Sequence, residues 1–402
     1  MDEERGSPGE GLPETVLPSA MAGQFDLQDF HRGFTLDEIT PQNMQSWSYY
    51  KHVSAHWPDY VQTSSRPIRP SHNPTALSRG DMFDLNGEFR IGKSYLQSLI
   101  DTQAKAFVVL HDDKILAEFY NNGFNIGGSN LLQSASKTLA GVVTHQLIDA
   151  GSLAADAMVA TILPDFASTT IGDATVQQVL DHMSGARTLL DFHTAGTPDQ
   201  QWEVEVGLQA GTAKGHRQAL RDAGKAAEPG TAWHYSDKNT DTLGLLAEQA
   251  TGRRFEELLA DLFDAFGAND AGSIAVTTDG TTSPCYGISM TIRDYALFHQ
   301  WVARGQAPPS YYASAMDVAK DQITTTNEVA AGYLPGSTYG SQTYYLPAHN
   351  VLHSSGSFGQ VAMSDMQNRT VVAVFSDWAN NGEAKKFEET RARAVSIINA
   401  LR

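Results

Sequence analysis

Cysteine is nearly absent from this chain, since Cys285 carries the only thiol among 402 residues. An internal disulfide is therefore excluded. No stretch approaches the roughly 20 consecutive apolar residues that cross a bilayer. Residues 1–5 have neither the basic start nor the apolar core of an export signal. From these absences we expect a cytoplasmic protein without a membrane partner.

Clusters of positive charge are also missing. The chain has 28 Lys and Arg against 46 Asp and Glu, a formal net charge of −18. Such a surface repels phosphate backbones and anionic lipids, so we expect no nucleic-acid partner. The 41% hydrophobic content is enough for a large core. A homodimer is possible for a chain of this kind, but nothing in the sequence identifies its face.

The common metal and cofactor motifs are absent too. The thirteen histidines form no H-E-x-x-H or H-x-H pattern, so we predict no metal site. We find no G-x-S-x-G and no G-x-G-x-x-G, and therefore expect no cofactor.

Hydrophobic periodicity predicts two kinds of region. Residues 1–24 are rich in Gly, Pro and Glu and predict a disordered arm, and residues 64–70 predict an extended strap. Strand-like runs and amphipathic helices occur near both chain ends. The strand-like runs are 106–110, 115–120, 342–346, 360–364 and 370–375. The helices are 136–150, 292–303 and 383–401. Between them the pattern is mostly helical, at 175–183, 217–223, 240–251 and 255–266.

We therefore predict an α/β fold of the α+β sandwich type. An antiparallel sheet flanked by helices would be assembled from residues 25–155 and 290–402. Residues 156–289 would form an inserted, all-helical lobe.

A serine and a lysine stand one helical turn apart at the start of the predicted helix 136–150. Residues three apart share a helix face, so Ser134 and Lys137 can share a proton. About a hundred residues later, Pro229-Gly230-Thr231 leads to Tyr235, a candidate proton carrier. A bare S-x-x-K is expected about once by chance in a chain this long, so its context carries the interpretation.

That context resembles the serine β-lactamase-like, penicillin-binding superfamily with the class C β-lactamase fold. The resemblance covers roughly residues 85–402 and rests on Leu131-Leu132-Gln133-Ser134-Ala135-Ser136-Lys137, Leu180-Asp181-His182-Met183-Ser184-Gly185, the Pro-Gly-Thr lead to Tyr235, Gly244 and Thr251-Gly252. Gly356-Ser357-Phe358-Gly359-Gln360 and the aromatic segment at 46–52 are most similar to the 6-aminohexanoate-dimer (nylon-oligomer) hydrolases, beside the β-lactamase-fold esterases.

The resemblance implies a catalytic centre. Ser134 would be the nucleophile, Lys137 its desolvated and neutral base, and Tyr235 the group that passes the proton to the leaving group. The backbone N–H groups of Ser134 and Ser357 would form the oxyanion hole. Ser236-Asp237-Lys238 is a rival register for Tyr235, which could instead be a core aromatic.

The same resemblance suggests residues that contact the substrate. For each of them, packing in the core or a simple turn is the alternative. The candidates are Gly356, Phe358, Cys285, Tyr286, Tyr344 and Tyr345, with Trp378 as a further aromatic.

Two departures from the superfamily concern charge. Most members carry Y-x-N where this chain has Tyr235-Ser236-Asp237, and a carboxylate near Lys137 would favour the ammonium. Asp237 must therefore point away, be protonated or face a cation, and we expect it to recognise a substrate amino group. Ser354-Ser355-Gly356 replaces K-T-G, which leaves no cation in that place unless His353 substitutes.

These observations predict a serine hydrolase that cleaves carboxylic esters or small amides of the 6-aminohexanoate type through an acyl-enzyme. The small-molecule substrate is its expected partner. The alternatives are a β-lactamase or DD-peptidase, an acyltransferase, and a non-catalytic binder that captures acyl donors once.

We predict weak or absent β-lactamase activity, because an anionic lactam lacks its cationic partner and meets an acidic protein. Hydrolysis of nitrocefin and of a cephalosporin measures it. Rapid turnover of either compound would contradict the prediction.

Overall fold

The structure is a computed structural model that describes residues 65–121, 123–188, 196–207, 211–320, 336–376, 378 and 383–402. The predicted arm at 1–24 and the aromatic segment at 46–52 lie outside the described residues.

The described chain alternates strands and helices. The strands are β1 Ser65–Ile68, β2 Ser78–Arg79, β3 Glu88–Arg90, β4 Lys93–Ser94, β5 Ala104–His111, β6 Lys114–Tyr120, β7 Ser129–Leu131, β8 Gly272–Ala275, β9 Ile288–Thr291, β10 Thr338–Gly340, β11 Thr343–Leu346, β12 Val351–Gly356, β13 Gln360–Asp365 and β14 Thr370–Ser376. The α-helices are α1 Tyr95–Asp101, α2 Ser136–Asp149, α3 Val159–Ile162, α4 Val176–Leu180, α5 Pro198–Glu205, α6 His216–Arg221, α7 Asp237–Thr251, α8 Phe255–Phe266, α9 Ile292–Ala303, α10 Pro309–Ala315 and α11 Ala384–Leu401.

The main sheet joins strands from both ends of the chain. Its order is β10-β11-β12-β13-β14-β5-β6-β2, and only the short strand β2 pairs in parallel. The central contact is between β14 and β5, where Val372 lies opposite Val109. The predicted α/β fold is confirmed.

Both faces of the central strands are buried. On β14, Val371 and Ala373 belong to the core cluster under α2 and α9, whereas Val372 and Val374 belong to the cluster under α1 and α11. Side chains alternate across a strand, so a strand covered on both sides must be apolar throughout. This explains the continuous apolar run of residues 371–375 in the sequence.

A second sheet has the order β1-β8-β9-β7. The predicted strap is in part strand β1, since Arg66 pairs with Ile274 of β8. The prediction that residues 156–289 are all helical is wrong at its end, because β8 and the first residues of β9 lie there. Helix α8 also packs into the cluster under the main sheet. Pairing partners distant in sequence make such short strands, and periodicity does not show them.

The helices that precede β8 have a core of their own. Leu180 of α4, Leu220 of α6 and Leu243 of α7 are fully buried in it. Leu147 of α2 packs against both this cluster and the one under the main sheet. Helix α2 therefore lies between the two cores. No helix within the described ranges is long and apolar enough to cross a membrane.

Gly356, the last residue of β12, brings the main sheet against the start of α2. A Cβ atom there would lie 2.1 Å from the carbonyl oxygen of Leu132 and 3.1 Å from the backbone nitrogen of Ala135. Both atoms belong to the backbone that carries Ser134, so neither can rotate away. Only glycine permits this approach.

Gly356→Ala should therefore separate β12 from the Ser134 turn. We expect a loss of about 1–3 kcal/mol in the free energy of unfolding, as for other overpacked sites. Urea denaturation measures it. Gly127→Ala is the matched control, because a Cβ at Gly127 meets only the Asn125 side chain, at an ordinary 3.7 Å. Equal stability of the two variants would contradict the close packing.

Candidate active site

Ser134 lies on a short 3₁₀ turn, Gln133–Ala135, that runs directly into α2. Its neighbour Gln133 has a positive φ of 54°, a backbone conformation that non-glycine residues rarely adopt. Such strain is tolerated where the surrounding structure holds it, often beside functional groups. Ser134 keeps part of its surface exposed, whereas Ala135 and Ser136 are buried. The serine hydroxyl is thus accessible at the start of a helix.

Lys137 is buried behind Ser134, with 1% of its side chain exposed. Its Nζ donates to Ser134 Oγ at 3.1 Å and to the carbonyl oxygen of Cys285 at 2.8 Å. It also lies 2.5 Å from Oδ1 of Asp237. Three different parts of the chain therefore meet at one ammonium group.

Tyr235 completes the group. Its hydroxyl is hydrogen-bonded to that of Ser134, and its ring centroid lies 4.8 Å from Lys137 Nζ. Burial, before all other causes, raises the pKa of Tyr235 well above its usual value, so the phenol keeps its proton at neutral pH. The rival register does not meet Ser134 in this way, because Lys238 Nζ donates to the carbonyl oxygen of Pro198.

Asp237 is the first residue of α7, and of the three expected alternatives the structure shows the third. It faces a cation, which is Lys137 itself, and 21% of its side chain is exposed. Recognition of a substrate amino group stays a prediction and would have to use the other carboxylate oxygen, Oδ2.

Ser357 is the first residue of the turn between β12 and β13 and is partly exposed. It directly follows Gly356, whose backbone touches the Ser134 turn. The paired N–H groups of an oxyanion hole stay a prediction that this proximity supports. Phe358 has no exposed surface and a positive φ of 63°. It packs inside the protein, and contact with a substrate is not supported.

Four further candidates turn out to be packed or turned away. The Cys285 thiol is fully buried and its pKa is raised well above the usual value, chiefly by burial. This residue acts through its carbonyl. Tyr286 is buried and donates its hydroxyl to Val206 O at 2.7 Å, and Trp378 is buried with Nε1 on Thr102 O. Tyr345 faces the core under α2 and donates to Asn350.

Tyr344 lies on the opposite face of β11 from Tyr345 and is part of an aromatic cluster beside the centre. We define the aromatic cluster as Trp233, Tyr235, Tyr339 and Tyr344, with Met183 packed against it. The ring centroids of Tyr339 and Tyr344 lie 4.7 Å apart, in edge-to-face contact. Among the aromatic pocket candidates, Tyr344 is the one that shares a cluster with Tyr235.

A cation from another element reaches Ser354-Ser355-Gly356, although none was expected in the place of the K-T-G lysine. A guanidinium Nη2 of Arg391, from α11, donates to Ser355 Oγ at 3.0 Å. Burial lowers the pKa of Arg391 to about 10, so it stays charged at neutral pH. His353 does not substitute as a cation, because burial and then Arg391 lower its pKa well below 6.5. Arg391 is 2% exposed, so a bound anion would reach it only through Ser355.

His182 holds Tyr235 in place, a role that the sequence did not assign. Its carbonyl accepts the N–H of His234 at 2.9 Å, and its Nδ1 accepts the N–H of Ser236 at 3.4 Å and Asn239 Nδ2 at 3.1 Å. Its ring centroid lies 4.6 Å from that of Tyr235. The backbone is thus bound on both sides of Tyr235. The signal was present in the Leu180-to-Gly185 motif, but no role could be assigned from it.

No group of three or more His, Cys, Asp and Glu side chains within the described residues could hold a metal ion.

Comparison with known proteins agrees with this geometry. The β-lactamase family model matches residues 130–396, which is well over half of the chain. The protein belongs to the β-lactamase family. This assignment covers Ser134, Lys137 and Tyr235 together with strands β12 to β14, and identifies the chain as a serine hydrolase of that family.

Individual members differ in activity. A 6-aminohexanoate-dimer hydrolase of Paenarthrobacter ureafaciens is 26% identical over 297 residues, which cover 70% of this chain and 74% of that protein. A solved structure from Bacillus anthracis, provisionally described as a 6-aminohexanoate-dimer hydrolase, has a TM-score of 0.73 and 19% identity, and covers 92% of this chain and 99% of its own. EstCE1, described as a hydrolase with promiscuous acyltransferase activity, has a TM-score of 0.59 and 17% identity, and covers 75% of this chain and 96% of its own.

His182→Phe tests how this β-lactamase-family protein places Tyr235. The substitution keeps an aromatic ring but removes the acceptor of two buried donors, and we expect kcat/KM for an ester to fall about 10- to 100-fold through misplacement of Tyr235. His182→Asn, whose Oδ1 can stand near the position of Nδ1, should retain more activity than His182→Phe. Steady-state kinetics on folded variants, checked by circular dichroism, measures both. Unchanged kcat/KM in His182→Phe would show that Tyr235 is placed without His182.

Proposed function

We propose that this protein hydrolyses carboxylic esters and small amides, including linear amides of the 6-aminohexanoate type, through an acyl-enzyme on Ser134. One observation carries the proposal. Ser134 Oγ is accessible and lies between Lys137 Nζ, at 3.1 Å, and the hydroxyl of Tyr235. A nucleophile, a proton acceptor and a proton donor thus meet at one point.

The geometry supports two half-reactions. In the first, Ser134 Oγ attacks the acyl carbon, and the N–H groups of Ser134 and Ser357 would stabilise the oxyanion. The leaving alkoxide or amine takes a proton from Tyr235, which keeps that proton at neutral pH. In the second, a water molecule takes the place of the leaving group, and the same groups move the proton in the opposite direction.

The substrate class follows from the surroundings and from the relatives. The aromatic cluster gives one side of the centre an apolar wall, of which Tyr235 and Met183 keep part of their surface exposed. Such a wall suits an alkyl acyl chain. The Paenarthrobacter ureafaciens relative is named for a linear amide dimer, and EstCE1 is described as a hydrolase. An ester or short linear amide fits both observations.

Ser134→Ala should abolish hydrolysis of the substrates that the wild-type protein cleaves, because no nucleophile remains. The panel consists of p-nitrophenyl esters of increasing chain length, the 6-aminohexanoate dimer and nitrocefin. Intact-mass spectrometry of wild type should show an acyl adduct that Ser134→Ala lacks. We expect a loss of kcat on the order of 10⁶-fold, the size seen when a serine nucleophile is removed.

Ser152→Ala is the control, because Ser152 is an exposed serine just beyond the far end of α2. It should keep the activity of wild type. Retained turnover in Ser134→Ala would overturn the proposal, as would an adduct that forms once and is never released. Repeating the assay with an added alcohol separates hydrolysis from acyl transfer by its products.

A further inference from the structure

The carboxylate beside Lys137 has a direct consequence for the first proton transfer. We propose that Asp237 accepts, through Lys137, the proton that Ser134 loses when it becomes a nucleophile. This inference rests on the proposed function. It assigns the proton to a pair of residues, Lys137 and Asp237, instead of to a neutral lysine.

The first argument is the number of hydrogen bonds at Lys137 Nζ. A lysine ammonium has three N–H donors and no acceptor. Nζ has three oxygen partners within 3.1 Å, namely Ser134 Oγ, the Cys285 carbonyl and Asp237 Oδ1. Three oxygen partners, one of them a carboxylate at 2.5 Å, suit a charged ammonium that donates to each of them. Such a group can take a proton from Ser134 only if it releases one of its own.

The second argument is that only one of these partners can hold the released proton. The Cys285 carbonyl is an amide oxygen, and Ser134 is the donor in this step. Asp237 Oδ1 is a carboxylate at 2.5 Å, the shortest of the three contacts. A short contact between oppositely charged groups is the geometry in which a proton is readily exchanged.

The third argument concerns the other titratable groups that face the pair. Burial is the first cause that raises the pKa values of Tyr235, Tyr339 and Cys285 well above their usual ranges. Burial also lowers the pKa of His182 well below 6.5. These four groups, which come from the segment before α7, from β10, from the segment before β9 and from the end of α4, are therefore neutral near pH 7. Lys137 and Asp237 form the ion pair of the centre, and a further buried carboxyl, Asp241, accepts the backbone N–H of Cys285 at 3.1 Å.

The proton balance is as follows. The bond from Ser134 Oγ to the acyl carbon forms while the carbonyl π pair moves onto the carbonyl oxygen. The Ser134 proton passes to Lys137 Nζ, and a proton already on Nζ passes to Asp237 Oδ1. Lys137 remains an ammonium, and Asp237 becomes a neutral acid.

Collapse of the intermediate breaks the bond to the leaving group, which takes the phenol proton of Tyr235. In deacylation the Tyr235 phenolate takes a proton from the attacking water. Ser134 Oγ then regains a proton from Lys137 as its bond to the acyl carbon breaks, and Asp237 returns its proton to Lys137. Asp237 is the first residue of α7, and a helix N-terminus favours the carboxylate. The resting ion pair is thereby restored after each turnover.

The test compares wild type with Asp237→Asn, which keeps the shape of the side chain and restores the Y-x-N pattern but cannot accept a proton. The probe is a fluorophosphonate, which labels a nucleophilic serine and needs no substrate turnover. The second-order labelling rate of Ser134 is measured from pH 5 to 10. We expect the acidic limb of the Asp237→Asn profile to move to higher pH by about one unit or more, because lysine alone accepts a proton only after losing its charge.

A shift of the acidic limb of the labelling profile to lower pH would indicate a different base. If a neutral Lys137 is the base in wild type, removal of the carboxylate makes the ammonium easier to deprotonate, and the limb moves to lower pH. A lower or unchanged limb therefore overturns the inference. Asp237→Glu is the matched control, because it keeps a carboxylate, and its limb should stay close to that of wild type.

A measurement on wild type alone covers the case in which Asp237→Asn does not fold. Labelling rates in mixtures of H₂O and D₂O should curve with the deuterium fraction, because two protons move together, and a linear dependence overturns the inference. Failure of the proposed function looks different. Wild type would then be labelled at Ser134 with the expected pH limb and yet hydrolyse none of the esters and amides. An unlabelled Ser134 overturns both.

Discussion

The arrangement of the site and of the helices around it depends on the contacts of the buried Lys137 ammonium. This ammonium binds three oxygen atoms that belong to the 3₁₀ turn before α2, to the N-terminus of α7 and to the segment before β9. A buried charge is stable only when its partners are fixed in place. The partners of Lys137 stay in place only if the two cores on either side of α2 are packed at a fixed distance from each other. The packing of the helices and the chemistry of Ser134 therefore depend on the same arrangement.

The neutrality of the surroundings strengthens this contact. His182, Tyr235 and Tyr339 are held in their uncharged forms by burial. In a low-dielectric environment each remaining charge acts strongly on its neighbour. Asp237 places a carboxylate beside Lys137. The charge of the centre therefore depends on this one side chain.

Sequence periodicity predicted the long elements because their apolar spacing is local information. The helix at 255–266 and the hairpin of β5 and β6 were found where predicted. Strand β8 was not, since it forms between β9 and strand β1, which lies about 200 residues away. In the site, spacing and resemblance selected Ser134, Lys137 and Tyr235. The contact of Asp237 with Lys137 and the hydrogen bond from Arg391 to Ser355 could not be predicted, because both depend on how separate elements pack.

The pairing of β14 with β5 has a consequence for how the protein is made. The ribosome releases β5, β6 and the Ser134 turn well before the strands from β10 onward exist. Until β14 arrives, the edge of β5 exposes unpaired backbone groups and apolar side chains, which is the state most prone to aggregation. Contacts of such large sequence separation also slow folding. The hydrophobic layers on both faces of the sheet can therefore close only after residues 338–401, which form β10 to β14 and α11, have been synthesised.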